Sequence, residues 1–124
     1  MAAPFGRLEY VYMGSRAFER DVTFYRETLG GEVVWNLEGF GAHVAAVRLG
    51  PGPLVLLADH RPAPSSILLF VVDDLKETAK LLRRRGWKYD GRSFEIPNGP
   101  CYVFEDPSGN RLGFFENVRP RPFE

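Results

Sequence analysis

The feature of this sequence that most limits its fold is an order of predicted elements that occurs twice: one strand, one helix and three strands. The two copies differ greatly in sequence. Each copy is a single supersecondary unit that cannot bury both faces of its short sheet alone, so two such units are expected to fold together. We therefore predict an α+β fold in which two βαβββ modules form a concave, partly closed mixed sheet with the helices outside.

The first module is predicted over residues 8–60. Runs of β-branched, aromatic and aliphatic residues predict strands at 8–13, 32–37, 43–49 and 54–58. A helix is predicted to begin at the N-cap Ser15 and to end at Gly30 and Gly31. The apolar face expected for this helix consists of Phe18, Val22, Tyr25 and Leu29.

The second module is predicted over residues 66–117. It follows a proline-containing linker at 61–65 and precedes a tail at 118–124. Its first strand is predicted at 66–72, and the pair Asp74 and Glu77 predicts a capping box at the start of a helix that ends at Gly86. Short extended pieces are predicted at 87–90 and 94–96. All residues together are expected to form one domain.

A hairpin is predicted at the end of the second module. Two apolar runs flank the tetrapeptide Asp106-Pro107-Ser108-Gly109. Aspartate suits the first position of a tight turn, proline presets φ at the second, and glycine suits the fourth. The sequence therefore predicts a hairpin within residues 102–116, with a strand on each side of this turn.

The composition excludes some functions. With 16 basic and 16 acidic residues the formal charge is zero, which argues against binding to nucleic acid or to a membrane surface. The single cysteine, Cys101, cannot form an internal disulfide, and an inert buried thiol is favoured over a nucleophile. No signal segment or long apolar span is seen in the sequence, so a cytoplasmic protein is expected.

Three segments carry a family resemblance: Phe-Tyr-Arg-Glu-Thr-Leu-Gly at 24–30, Val-Asp-Asp-Leu at 72–75 and Asp-Pro-Ser-Gly-Asn at 106–110. With these segments in register, the chain resembles the vicinal oxygen chelate superfamily. That superfamily includes glyoxalase I, bleomycin-resistance proteins, fosfomycin-resistance proteins and extradiol dioxygenases. The resemblance implies the doubled βαβββ fold, and it also implies a homodimer in which two chains build the ligand clefts.

The same resemblance places the metal-ligand positions of the family on residues that are poor ligands. Counted from the shared segments, these positions fall on Tyr10, on Ile67 or Ser66, on Gly113 and within the apolar strand 54–58. Metal ions in proteins need several oxygen, nitrogen or sulfur donors that converge at bonding distance. We therefore expect no metal site, no cofactor and no catalytic residue of the family's conventional type.

Individual side chains allow two interpretations each. Tyr10 and Tyr12 alternate onto one face of the first strand, and lining a pocket is favoured over a plain core role because a buried hydroxyl needs a polar partner. His43 is interpreted first as a locally bonded strand residue and second as a residue that contacts a ligand. His60, beside Asp59, is interpreted as an exposed linker residue.

The sequence therefore predicts a metal-free protein that binds a small apolar or aromatic ligand in a cleft between the βαβββ modules. The alternative is a glyoxalase-like lyase, isomerase or dioxygenase with an unconventional metal site. The expected partners are a small-molecule ligand and a second copy of the chain. The residues predicted to contact the ligand are Tyr10, Tyr12, Trp35, Phe40, His43, Tyr102, Phe104, Arg111 and Phe115.

Overall fold

The computed structural model describes residues 3–39, 41–89 and 91–120. These residues form eight strands and two α-helices, and the α+β class predicted from the sequence is confirmed. The strands are β1 (Leu8–Gly14), β2 (Glu32–Gly39), β3 (Ala42–Arg48), β4 (Leu54–Ala58), β5 (Ser66–Val72), β6 (Phe94–Ile96), β7 (Gly99–Glu105) and β8 (Arg111–Glu116), and the helices are α1 (Phe18–Thr23) and α2 (Leu75–Arg84).

The chain divides into two compact units, and each has the predicted order of one strand, one helix and three strands. The described residues of the N-terminal unit fall within 9–68, and those of the C-terminal unit fall within 3–8 and 69–120. Among the described residues, no helix combines the length and the apolar composition needed to cross a membrane.

The sheet of the N-terminal unit has the strand order β2-β3-β4-β1. Strands β2, β3 and β4 are antiparallel neighbours, whereas β1 runs parallel to β4. One face of this sheet packs against helix α1 through Val22, which lies in a buried cluster with Ala45, Val47 and Leu57. We call this side of the sheet the helix face of the N-terminal unit.

The first helix differs from its prediction. Ser15 is not the N-cap, because its hydroxyl donates to Asp21 at 2.6 Å and the cap residue is Ala17. The α-helix ends at Thr23 and continues as one π-helical turn over Phe24–Thr28. The wider π-turn changes which side chains face the sheet, and Leu29, predicted on the apolar face, is 49% exposed.

The sheet of the C-terminal unit has the strand order β5-β8-β7-β6. Its helix α2 begins as predicted, with the Asp74 carboxylate accepting from the backbone N–H of Glu77 at 3.0 Å. Phe114 packs under this helix with Val72, Leu75 and Ala79. The piece predicted at 87–90 forms no strand in its described part, 87–89.

The predicted hairpin is confirmed as the antiparallel pair of β7 and β8. The Asp106 carboxylate accepts backbone N–H bonds from Ser108 and Asn110, both at 2.9 Å, and the side chain of Asn110 donates to it as well. Gly109 adopts a φ of 89°, which glycine tolerates without steric cost. The side-chain bond from Asn110 is the main reason that the pKa of Asp106 lies below its usual value.

Candidate functional site

Tyr10, Tyr12 and Trp35 share the face of the N-terminal sheet opposite the helix face, and we call it the tyrosine face. The strand register places Tyr12 beside Leu56, Leu56 beside Ala46, and Ala46 beside Trp35. The rings of Tyr10 and Trp35 meet edge to face at 6.5 Å. Tyr10 and Trp35 are only 3% and 6% exposed, so they form the closed, apolar part of this face.

The polar end of the tyrosine face is formed by Tyr12 and His60. The hydroxyl oxygen of Tyr12 lies 3.1 Å from Nε2 of His60, although the two residues are 48 positions apart. Tyr12 is 8% exposed, whereas His60 is exposed. His60, interpreted from the sequence as an exposed linker residue, is thus also the polar partner that a buried Tyr12 hydroxyl requires.

His43 lies on the helix face, away from Tyr10 and Tyr12. The register pairs it with Glu38 of β2, and its ring packs against that of Phe18 with centroids 5.2 Å apart. Side chains two residues apart in a strand share a face, so His43 lies on the side that buries Ala45 and Val47. The structure therefore does not bring His43 together with the predicted tyrosines.

Both ring nitrogens of His43 are within hydrogen-bond distance of carboxylates. Nδ1 lies 2.9 Å from Asp59, and Nε2 lies 3.2 Å from Glu38. The hydrogen bond with Asp59 is the main reason that the pKa of His43 lies above its usual value, and the charge of Glu38 adds to it. With both nitrogens engaged, the imidazole has no free atom for a substrate proton.

In the C-terminal unit, the predicted residues of β7 and β8 lie on two different faces. Tyr102 and Phe104 pack with Phe114 and Trp87 in the buried cluster beneath α2. Arg111 and Phe115 alternate onto the other face of β8, where Arg111 is exposed at the end of the strand and lies 3.5 Å from Glu105. Phe115 is fully buried. Phe40, also predicted to bind, lies outside the described residues.

The space at Gly113, where the resemblance places a metal ligand, is filled by neighbours. A Cβ atom built at this position would overlap the carbonyl oxygen of Tyr102 and lie 2.9 Å from a methyl group of Leu69. A methyl group of Val103 would be 3.0 Å away. The backbone at this point therefore has no room for a carboxylate side chain.

The other family positions are equally unsuited to a metal ion. Ile67 is buried and apolar, and β4 carries only aliphatic side chains. Within 3–39, 41–89 and 91–120, no group of three or more histidine, cysteine, aspartate or glutamate side chains is placed to hold a metal ion. The described residues thus do not fit the conventional metal site of the fold.

A separate open pocket lies in the N-terminal unit beside the start of α1. Its volume is about 630 Å³, and Met13 and Tyr25 contribute its apolar wall. The charged side chains that line this pocket are Arg16, Arg20 and Asp21. Arg20 is already paired with Asp21 at 3.0 Å. Of the described residues that the sequence predicts to bind a ligand, none lines this pocket.

Arg61, in the segment predicted as a linker, was not identified from the sequence. Its Nε and Nη2 atoms are buried and have no hydrogen-bond partner among the described residues. Local sequence carries no signal for this, because an arginine beside prolines is ordinarily solvated. Only the fold shows that these two nitrogen atoms are shielded from water, although the side chain as a whole is half-buried.

Comparison with known proteins identifies the class. A family model described as the Glyoxalase/Bleomycin resistance protein/Dioxygenase superfamily matches residues 7–114. The chain belongs to this superfamily, and the resemblance of the three sequence segments is confirmed. Among curated proteins, none matches the sequence.

Solved structures share the fold at low sequence identity. Methylmalonyl-CoA epimerase from Mycobacterium tuberculosis has a TM-score of 0.80 at 15% identity, covering 100% of this chain and 96% of that one. A hypothetical protein from Bacillus halodurans C-125 has a TM-score of 0.78 at 10% identity, covering 91% and 95%. A variant of Streptomyces coelicolor methylmalonyl-CoA epimerase, in complex with 2-nitronate-propionyl-CoA, has a TM-score of 0.73 at 16% identity, and the match covers 93% of this chain and 99% of that one. These likenesses show the fold alone.

Proposed function

We propose that this chain binds a small organic ligand at the polar end of the tyrosine face, where Tyr12 meets His60. The observation that carries the proposal is the 3.1 Å contact between the Tyr12 hydroxyl and Nε2 of His60. This pair reaches from a buried strand to an exposed residue and offers both a donor and an acceptor to a ligand. Binding pockets typically combine an apolar surface with a few such polar groups.

The ligand class that suits this surface is an apolar or aromatic molecule with one polar group. Tyr10 and Trp35 provide the aromatic surface behind Tyr12, and Leu56 provides an aliphatic one. Because those side chains are nearly fully buried, the ligand is expected to contact Tyr12 and His60 first.

The proposal is tested by a thermal-shift screen of small aromatic and acyl compounds, followed by titration of each hit against variants. Tyr12→Phe removes only the hydroxyl and is expected to weaken binding about tenfold, the effect of one lost hydrogen bond. Tyr25→Phe is the matched control, because its hydroxyl contacts only the Met13 sulfur at 3.6 Å among the bonds recorded for it.

The control also distinguishes two locations for the ligand. Tyr25 lines the open pocket beside α1, so a hit weakened by Tyr25→Phe and unaffected by Tyr12→Phe would bind there. That result would contradict the proposal. A screen in which no compound raises the melting temperature of the wild-type chain would contradict it as well.

The second candidate is a glyoxalase-like lyase, isomerase or dioxygenase. It is favoured by the likeness of fold to methylmalonyl-CoA epimerases. Two measurements address it: elemental analysis of protein purified without chelator, and solvent deuterium exchange into methylmalonyl-CoA followed by NMR. Stoichiometric metal together with deuterium exchange would support the enzyme. The absence of both bound metal and exchange would support the binding protein. The homodimer and the cytoplasmic location both stay predictions. Light scattering on the purified chain tests the homodimer.

A further inference from the structure

We infer that the open pocket beside α1 binds a small organic anion, whose carboxylate meets Arg16 and whose apolar part lies against Met13 and Tyr25. The pocket has a volume of about 630 Å³, within the range of cavities that hold small ligands. All of its lining residues belong to the N-terminal unit. Neither Tyr12 nor His60 is among them, so the inference is independent of the proposed function.

The apolar wall of the pocket is a thioether that contacts a tyrosine. The Tyr25 hydroxyl donates to the Met13 sulfur at 3.6 Å. Tyr25 lies in the π-helical turn Phe24–Thr28, and such irregular turns often occur at functional sites. Met13 and Tyr25 are both half-buried, so part of each side chain is accessible to the carbon skeleton of a ligand.

Two of the three charged side chains that line the pocket neutralise each other. Arg20 donates from Nε and Nη2 to one carboxylate oxygen of Asp21, at 3.1 and 3.0 Å. The Ser15 hydroxyl donates to the other oxygen at 2.6 Å and is the main reason that the pKa of Asp21 lies below its usual value. Asp21 is therefore ionised at neutral pH, and its charge balances that of Arg20.

Arg16 supplies the charge that is not balanced within the pocket. It donates from Nε and Nη2 to the carbonyl oxygen of Ala63, at 3.0 and 2.5 Å. That acceptor is a neutral amide, and no carboxylate in the described part of the chain pairs with Arg16. The lining of the pocket thus carries one net positive charge, which favours a ligand with one negative charge.

The bond to Ala63 leaves the outer edge of the Arg16 guanidinium group for a ligand. A guanidinium group has five N–H donors, and Nε and Nη2 share the edge that faces Ala63. Nη1 and Nη2 form a second fork, which matches the two oxygens of a carboxylate. The side chain is exposed, so an anion can reach it. Because Ala63 already holds the group, less side-chain entropy is lost on binding.

The test uses three small planar molecules that differ mainly in charge: sodium benzoate, benzamide and benzamidine hydrochloride. Each is titrated into the full chain at constant ionic strength. The readout is the NMR signal of the Met13 methyl group in protein labelled with carbon-13 at its methionine methyl groups. The chain has two methionines, so the spectrum contains two such signals, and Met13→Leu assigns them.

Benzoate is expected to shift the Met13 signal to saturation. The dissociation constants of benzamide and benzamidine should be at least about tenfold higher, because neither forms the charge-assisted pair with Arg16. Arg16→Met should raise the benzoate constant by a similar factor and leave that of benzamide unchanged. The comparison of the three compounds in the wild type needs no variant, so it decides the question even if Arg16→Met does not fold.

Arg48→Met is the matched control for the loss of one positive charge. Arg48 is an exposed arginine of the same unit, contacts Glu32 at 3.4 Å and does not line the pocket. Arg48→Met should therefore bind benzoate as the wild type does.

Three results would overturn the inference. Equal affinity for benzamide and benzoate would show that the pocket does not recognise the charge. An unchanged benzoate constant in Arg16→Met would show that Arg16 does not bind the anion. No saturable shift of the Met13 signal with any of the compounds, as expected if a second copy of the chain covers the pocket, would show that there is no such site.

Tyr12→Phe separates this inference from the proposed function. The variant should keep the full response of the Met13 signal to benzoate, and a response lost in Tyr12→Phe would overturn the inference. A screen in which every hit binds in this pocket and none depends on Tyr12 would support the inference and contradict the proposed function.

Discussion

Nδ1 of His43 lies 2.9 Å from the Oδ2 atom of Asp59, and the backbone N–H of His43 donates to the other carboxylate oxygen. The two residues are 16 positions apart, on neighbouring strand ends. This double contact connects the start of β3 to the residue that follows β4. It also explains why His43, the histidine considered from the sequence for binding, is occupied on the helix face.

We expect the stability of the chain to fall as the pH rises above neutrality, in part through His43. The pKa of His43 in the folded chain is raised above the ordinary value of 6.5, mainly by its hydrogen bond with Asp59, so its contribution to stability is present below pH 6.5 and is lost as the pH rises through the raised pKa. The groups that face the ring are Glu38 and Asp59. Urea unfolding at pH 5.5 and pH 8.5 should show a larger pH effect in the wild type than in His43→Gln.

At low pH, the contribution of the His43–Asp59 pair to stability depends on the charge of the Asp59 carboxylate. Its pKa is lowered from 3.8, mainly by the backbone hydrogen bond from His43, so its contribution is lost only as pH falls through that lowered value. His60→Gln is the control for the neutral range and should keep the wild-type pH effect. If His43→Gln responds to pH as the wild type does, the pair does not contribute to stability.

We expect Gly113→Ala to destabilise the chain by about 1–3 kcal/mol, because the added methyl group overlaps the Tyr102 carbonyl and crowds Leu69. Gly50→Ala is the matched control, since no atom lies within 4 Å of its added Cβ, and its effect should stay within about 0.5 kcal/mol. Urea unfolding measures both. Equal stability of the two variants would show that the sheet at Gly113 opens readily.

We expect Cys101 to be unreactive in the native chain. It is fully buried, and burial raises the pKa of its thiol to about 12. The reactive thiolate is therefore scarce at pH 8. Ellman's reagent should modify Cys101 rapidly only in urea, whereas Ser93→Cys in a Cys101→Ala background should react rapidly in the folded state. Fast native modification of Cys101 would mean that the strand pair β6–β7 opens locally.

We expect Asp74→Ala to cost about 1 kcal/mol of stability, because it removes the N-cap bond to the Glu77 backbone. Asp73→Ala is the matched control, since Asp73 is exposed, precedes the cap and carries the same charge. Chemical unfolding of both variants at one pH separates the loss of the capping hydrogen bond from the loss of a negative charge, in terms of the free energy of unfolding. A loss no larger than that of Asp73→Ala would show that the bond from Leu75 to Glu116 suffices to start the helix.

Short-range patterns predicted the parts of the fold whose bonds are local. The turn at Asp106 and the cap at Asp74 both depend on hydrogen bonds between residues within a few positions of one another. The order of elements followed from the same patterns, and the family resemblance followed from that order. The first helix was predicted less well, because a π-turn inserts an extra residue that no periodicity reveals.

The placement of the side chains predicted to bind a ligand was foreseen for some residues only, and their contact with a ligand stays a prediction. Tyr10 and Tyr12 share one face, as strand alternation requires, and the pairing register of β4, β3 and β2 places Trp35 on the same face. Tyr102 and Phe104 lie on the helix side of their sheet, because their register with Phe114 and Leu112 places them there. His60 was recognised as exposed, yet its bond to Tyr12 spans 48 positions and depends on the pairing of β1 with β4.

By itself, the sequence determined the doubled βαβββ order, the hairpin, the second helix start and the scarcity of metal donors at the family positions, because each depends on residue type and near spacing. Only the tertiary structure decided which side chains meet: His43 with Asp59 and Tyr12 with His60. The physical reason is that strand pairing sets contacts between distant residues, and burial gives those contacts their energetic weight.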